Sequence, residues 1–152
     1  MTLRYGLTTA VELLEKLRRD LARLDDEVIG DHLFNFVVTA RHLPEWFAKD
    51  PAMSEPVRAA IEGITASPLY KACRDIADAS KHFQLRADRA QSTNVSEVSS
   101  ARGYGVGRYG KGAYGVGEES ITIELDTGES IHALEFARQI VGMYDAAIEH
   151  AP

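Results

Sequence analysis

The chain has 152 residues, 45% hydrophobic and 26% charged, with a formal net charge of −6. Those proportions describe one soluble globular domain with a core of its own, and they exclude an obligately disordered chain, a multidomain enzyme and a disulfide-stapled miniprotein. A single cysteine, Cys73, allows no internal disulfide. No run approaches about eighteen consecutive apolar residues, and the opening MTLRYGLTTAVELLEKLRRD has no signal-peptide core, so a cytoplasmic protein without a membrane span is expected.

Thr9-Ala-Val-Glu12 has the capping-box spacing of a helix start. Leu14, Leu17, Leu21, Leu24 and Val28 then recur at three- and four-residue steps, which predicts an amphipathic helix over residues 9–25. A second helix runs to Leu43. Its apolar residues Leu33, Phe34, Phe36, Val37, Val38 and Ala40 nearly encircle it, so it is expected to be the most buried element. Pro44 disfavours helical geometry at Leu43 and is expected to kink or end that helix, with a short helical turn to Asp50. A modest helix follows over 54–65. Ser67-Pro68 reads as an N-cap with proline at the first helical position, opening a helix to about His82.

The next stretch changes character. Val95 and Val98 carry a loose strand signal, and GYGVGRYGKGAYGVG (103–117) repeats Tyr-Gly-Val-Gly at 104 and 114. Ile121, Ile123 and Leu125 alternate with polar residues as in a half-buried strand. Asp126-Thr-Gly-Glu129 is a turn, Ser130-Ile-His132 a short return strand, and 133–150 a last helix. The expected fold is mainly α (α+β): an antiparallel four-helix bundle with a small antiparallel β-hairpin or sheet inserted at about 91–132, before the last helix.

Charge is uneven. Residues 81–112 hold six bases (Lys81, Arg86, Arg89, Arg102, Arg108, Lys111) and two acids, a charge of +4, while the remainder carries −10. A basic segment on an acidic body attracts an acidic partner surface or a nucleic acid, or docks on the acidic helices of this chain or of a second copy. Tyr104, Tyr109 and Tyr114, interleaved with Arg102, Arg108 and Lys111, suit a hairpin tip or a dimer-clasping arm, and would also stack on single-stranded bases.

No Walker loop, HExxH, CxxC or GxSxG is present. The glycines precede a strand and not a helix, which excludes a phosphate-cradling loop. Two polar helical stripes remain. Asn35, Thr39, His42 and Trp46 fall on one side of the second helix, and Asp75, Asp78 and His82 on one side of the fourth, with Arg74 and Lys81 adjacent. Such stripes form an internal hydrogen-bond network, an acid–base cleft or a metal site. In the structural account, Asp78 pairs with Arg74 or Lys81, and Lys81 and His82 complement the helix C-terminus. A metal set of His42, His82, Asp75 and Asp78 is chemically permissible, but the Glu-x-x-His repeats of bundle di-metal sites are absent, and neither metal nor cofactor is expected.

FNFVVTARHL (34–43) and CRDIADASKHF (73–83), with the Gly-rich segment and the strand–turn–helix ending, resemble a group of small bacterial and prophage-type proteins of no assigned function. The likeness spans most of the chain beyond Asp31. More distantly, Arg74 and His82 on one late helix are similar to the HEPN superfamily, which includes metal-independent RNases of toxin–antitoxin and phage-defence systems, usually dimers, and non-catalytic binding domains. That motif sets a polar residue after the Arg, as Asp75 is here. It uses a shorter spacer than the seven residues before His82, which leave the two side chains about 80° apart on a helix.

The function expected is a small cytoplasmic interaction protein of phage or defence context. It would act through the basic hairpin with Arg102, Arg108 and Lys111, and through a polar face of Asn35, Thr39, His42, Asp78 and Lys81. It is expected to be a homodimer, with a protein as partner and RNA as the other candidate ligand. The alternative is a HEPN-like metal-independent endoribonuclease, in which the resemblance gives His82 the acid–base role, Arg74 the phosphate charge and Asp75 the orienting role.

Overall fold

The computed structural model describes residues 5–81, 95–103 and 118–151. Among these residues five helices, α1 (Ala10–Asp26), α2 (Gly30–Lys49), α3 (Glu55–Ile64), α4 (Pro68–Lys81) and α5 (Ala133–Glu149), accompany three strands, β1 (Val95–Gly103), β2 (Glu118–Leu125) and β3 (Ser130–His132). The protein is mainly helical, with a small antiparallel sheet of strand order β1-β2-β3 placed in sequence before α5.

Local chemistry sets the helix ends. Thr9 Oγ1 accepts from the Glu12 amide at 3.1 Å, and the Glu12 carboxylate accepts from the Thr9 amide at 2.9 Å. Hydrogen bonds from Thr8 and Thr9 hold the Glu12 carboxyl below its usual range. A second carboxylate joins this start: Asp50 Oδ2 accepts from the Ala10 amide at 2.8 Å while Oδ1 accepts from the Ala52 amide at 2.9 Å. Asp50 thereby ties the first turn of α1 to the α2–α3 turn. Ser67 Oγ accepts from the Tyr70 amide at 3.1 Å at the head of α4, where Pro68 lacks an amide hydrogen to satisfy.

The core is built from the inward stripes of these helices. Leu14, Leu17 and Leu24 of α1, Phe36, Leu43 and Phe47 of α2, and Phe136 and Ile140 of α5 are fully buried. Helix α1 packs on α2 and α5, α2 also on α3 and α4, and α3 on α5. The sheet covers one side of this assembly, packing through β2 and β3 on α5 and through β1 on α4. Its inner face carries Ile121 and Ile123, both buried, opposite Ser100 and Val98 of β1. The β2–β3 turn closes through Gly128 at φ +87, a backbone conformation that glycine adopts without strain.

Two expectations are corrected. Helix α2 does not end at Leu43 but continues through Pro44 to Lys49. Nor is α2 buried all round, for Phe34 remains 49% exposed. Phe34 lines the open groove between α2, α4 and the sheet, as does Val98, which is 42% exposed.

Candidate functional site

The chemistry-bearing residues gather along α2 where it meets α4 and α5. Proline in a helix interior removes one donor, so Pro44 leaves the Ala40 carbonyl without its helical partner. Tyr144 Oη of α5, itself fully buried, donates to that carbonyl at 2.9 Å. One residue on, Tyr70 Oη of α4 donates to the Arg41 carbonyl at 3.1 Å. Cys73 Sγ lies 3.8 Å from the Val37 carbonyl as a weak donor. The α5 phenol thus satisfies the one carbonyl that Pro44 opens, which lets the helix continue through it, while Tyr70 and Cys73 of α4 add bonds to the neighbouring Arg41 and Val37 carbonyls. Burial pushes the Cys73 thiol up to about 12 and raises the phenol pKa values of Tyr70 and Tyr144. All three groups are therefore neutral donors at neutral pH.

The predicted stripe on α2 divides between two surroundings. Thr39 is buried and faces α1, its Oγ1 donating to Asp20 Oδ2 at 2.8 Å and lying 2.9 Å from the Asn35 carbonyl. Lys16 Nζ bridges Asp20 Oδ2 at 2.5 Å and Thr39 Oγ1 at 2.7 Å, and Arg23 donates to Asp20 Oδ1 at 3.0 Å. Asp20, 2% exposed, is thus a buried carboxylate with three donors. Asn35 and His42 are exposed.

On α4, Asp78 accepts from Arg41 Nε at 2.7 Å. That ion pair crosses the α2–α4 contact, and it raises the Arg41 guanidinium pKa against the opposing effect of burial. Arg74 donates through Nε and Nη2 to Asp75 Oδ1 at 3.2 and 3.0 Å. The seam therefore presents two guanidiniums, each holding a half-buried carboxylate. The Arg41–Asp78 pair fastens α2 to α4, whereas Arg74 and Asp75 pair within α4. Arg41 was not among the sequence candidates. Its only signal is a cation inside a nearly apolar helix, where a charge must find a partner.

Of the other sequence candidates, Lys81 closes α4 and Arg102 stands in β1 opposite Glu119 of β2. His82, Arg108 and Lys111 lie outside the described residues, as do Tyr104, Tyr109 and Tyr114. Among the described residues no three His, Cys, Asp or Glu side chains are grouped to hold a metal ion, and no helix is long and apolar enough to cross a membrane. A groove of about 240 Å³ lies between α2, α4 and the sheet, lined by Leu33, Phe34, Val37, Ile76, Val98 and Ile121.

Compared with family models, curated proteins and solved structures, the chain matches none. The class defined by the structure itself is a mainly helical protein with a three-stranded antiparallel sheet and an ion-paired α2–α4 seam.

Proposed function

We propose that the protein is a non-enzymatic, homodimeric interaction module of the cytoplasm, of phage or defence context. Its four longest helices act as an antiparallel bundle that displays the basic segment to an acidic protein partner. The observation that carries this reading is the separation of charge, +4 over residues 81–112 against −10 elsewhere. Among the described residues, Asp75 and Asp78 of the polar stripe on α4 hold guanidiniums in structural ion pairs, Arg74–Asp75 and Arg41–Asp78, which fits a binding surface. The test uses fluorescence anisotropy with a labelled poly-glutamate peptide. Wild type binds it, and reversing Arg102, Arg108 and Lys111 to Glu abolishes binding; unchanged binding by the triple variant overturns the reading.

The second reading is a HEPN-like metal-independent endoribonuclease using Arg74, Asp75 and His82. The side-by-side Arg74–Asp75 pair on α4 favours it, with the cation placed to steady phosphate charge and His82 suited to proton transfer near neutral pH. RNA cleavage in excess EDTA, present in wild type and lost in His82→Ala, supports this reading. Equal cleavage by the two proteins removes it.

A further inference from the structure

Two independent features meet on one side of the sheet. The first is the outer edge of β1. With the order β1-β2-β3, β1 has one neighbour among the described residues, and one row of its backbone groups has no strand partner among them. Edge strands are usually guarded by proline, lysine or inward-pointing charge. Residues 98–101 of β1, Val-Ser-Ser-Ala, carry none of these, and the only irregularity lies at the far end, between Val95 and Glu97. The second feature is apolar. The groove beneath β1 leaves Phe34 at 49% and Val98 at 42% exposure, two of the four most exposed large hydrophobic side chains in the described structure. A strand added beside β1 would turn alternate side chains toward the helices, and those side chains would close over Phe34.

We infer that this added strand is β1 of a second copy, paired antiparallel across a two-fold axis through Ser99, so that two three-stranded sheets join into one. The inference rests on the homodimeric part of the proposed function and supplies its surface. The strand's own sequence argues for self-pairing. A two-fold perpendicular to the sheet requires one residue to sit opposite its own copy, because opposed residues share a face. Ser99 is the midpoint of the nine-residue strand, so centring there overlaps its whole length, about 30 Å. That register sets Val98 opposite Ser100 and Glu97 opposite Ala101, with no like charges opposed. Centring on Glu97 would instead oppose two carboxylates. Ser99 pairs with Thr122 on the outer face of the sheet, opposite to the Ile121 and Ile123 face, so substitutions there leave the core alone.

The test is multi-angle light scattering of the full chain from about 1 to 200 μM, with thermal melting to verify each variant's fold. Wild type should run at twice the 16.7 kDa chain mass. Ser99→Lys opposes two ammonium groups and should weaken the dimer at least about tenfold. Phe34→Asp removes the apolar contact beneath the strand and should weaken it at least about thirtyfold. Under oxidising conditions Ser99→Cys should cross-link to a covalent dimer and Ala101→Cys should not, while Cys73 stays silent because it is buried. A wild type that stays monomeric overturns both the inference and the homodimeric reading. A dimer untouched by Ser99→Lys and Phe34→Asp, or Ala101→Cys cross-linking in preference to Ser99→Cys, overturns this surface alone.

Discussion

Removing one hydroxyl, in Tyr144→Phe, tests why a proline is tolerated inside α2. The phenol donates to the Ala40 carbonyl at 2.9 Å in a fully buried site, and no water can replace it without opening the core. Phenylalanine keeps the ring packing and leaves the carbonyl that Pro44 has already deprived of its helical donor. An unsatisfied buried acceptor costs about 1–3 kcal/mol. At roughly 2–4 °C per kcal/mol for a chain of this size, the midpoint should fall by about 4–8 °C for a cost near 2 kcal/mol. The discriminating measurement is a double-mutant cycle by urea unfolding with Pro44→Ala, which restores the amide donor to Ala40. In that background the carbonyl is satisfied by its own helix, so Tyr144→Phe should cost at least about 1 kcal/mol less than in wild type. Equal losses in the two backgrounds would refute the claim that the phenol substitutes for the missing amide.

Three further predictions come from the buried polar groups. Cys73, pushed up to about 12 from 9.0, and the raised phenols of Tyr70 and Tyr144 are neutral in the fold but ionise more readily when unfolded. Their contribution to stability is whole below about pH 9 and is lost as pH rises toward 12, so urea midpoints should fall across that range; a flat profile contradicts it. In the same protein a thiol reagent at pH 8 should leave Cys73 unmodified until denaturant is added. Asp20→Ala deletes the acceptor of Lys16, Arg23 and Thr39. Because Lys16 and Arg23 are 34% and 57% exposed and can turn to water, the loss should be about 2–3 kcal/mol, below the range for a fully buried pair. A loss under about 0.5 kcal/mol in calorimetry would show that the network is solvated.

What the sequence discloses depends on the range of the interaction. The start of α1 was legible because Thr9 and Glu12 satisfy each other three residues apart, and the N-cap at Ser67 was legible for the same reason. Pro44 was read as a kink or a stop; the helix does not stop there, because the carbonyl it orphans is met by Tyr144, a residue far along the chain on another helix. The polar stripe on α2 was half legible. Spacing placed Thr39 above Asn35, and the Thr39 hydroxyl does lie against the Asn35 carbonyl. That Thr39 turns inward while His42 faces solvent is decided by where α1 crosses. Asp78 was expected to pair with Arg74 or Lys81 on its own helix; it accepts from Arg41 across the seam, a contact that helical periodicity alone does not contain. Phe34 was read as core because its neighbours are apolar, yet it lines the open groove beside the sheet, a tertiary placement that helical periodicity does not contain.

The attachment of α5 has a bearing on the order of events during synthesis. This helix meets residues near the start of the chain through Tyr144 to Ala40, Arg18 to Asp145 and Arg138 to Asp25, partners separated by 104, 127 and 113 positions. A ribosome adds about 5–20 residues per second, so roughly 5–20 s pass between the polymerisation of Ala40 and of Tyr144. Throughout that interval α1 and α2 exist without the helix that seals them, and the carbonyl opened by Pro44 has no phenol to meet. A nascent chain stalled before residue 144 would therefore be the form presented to chaperones and proteases. The helical core closes only as α5 arrives.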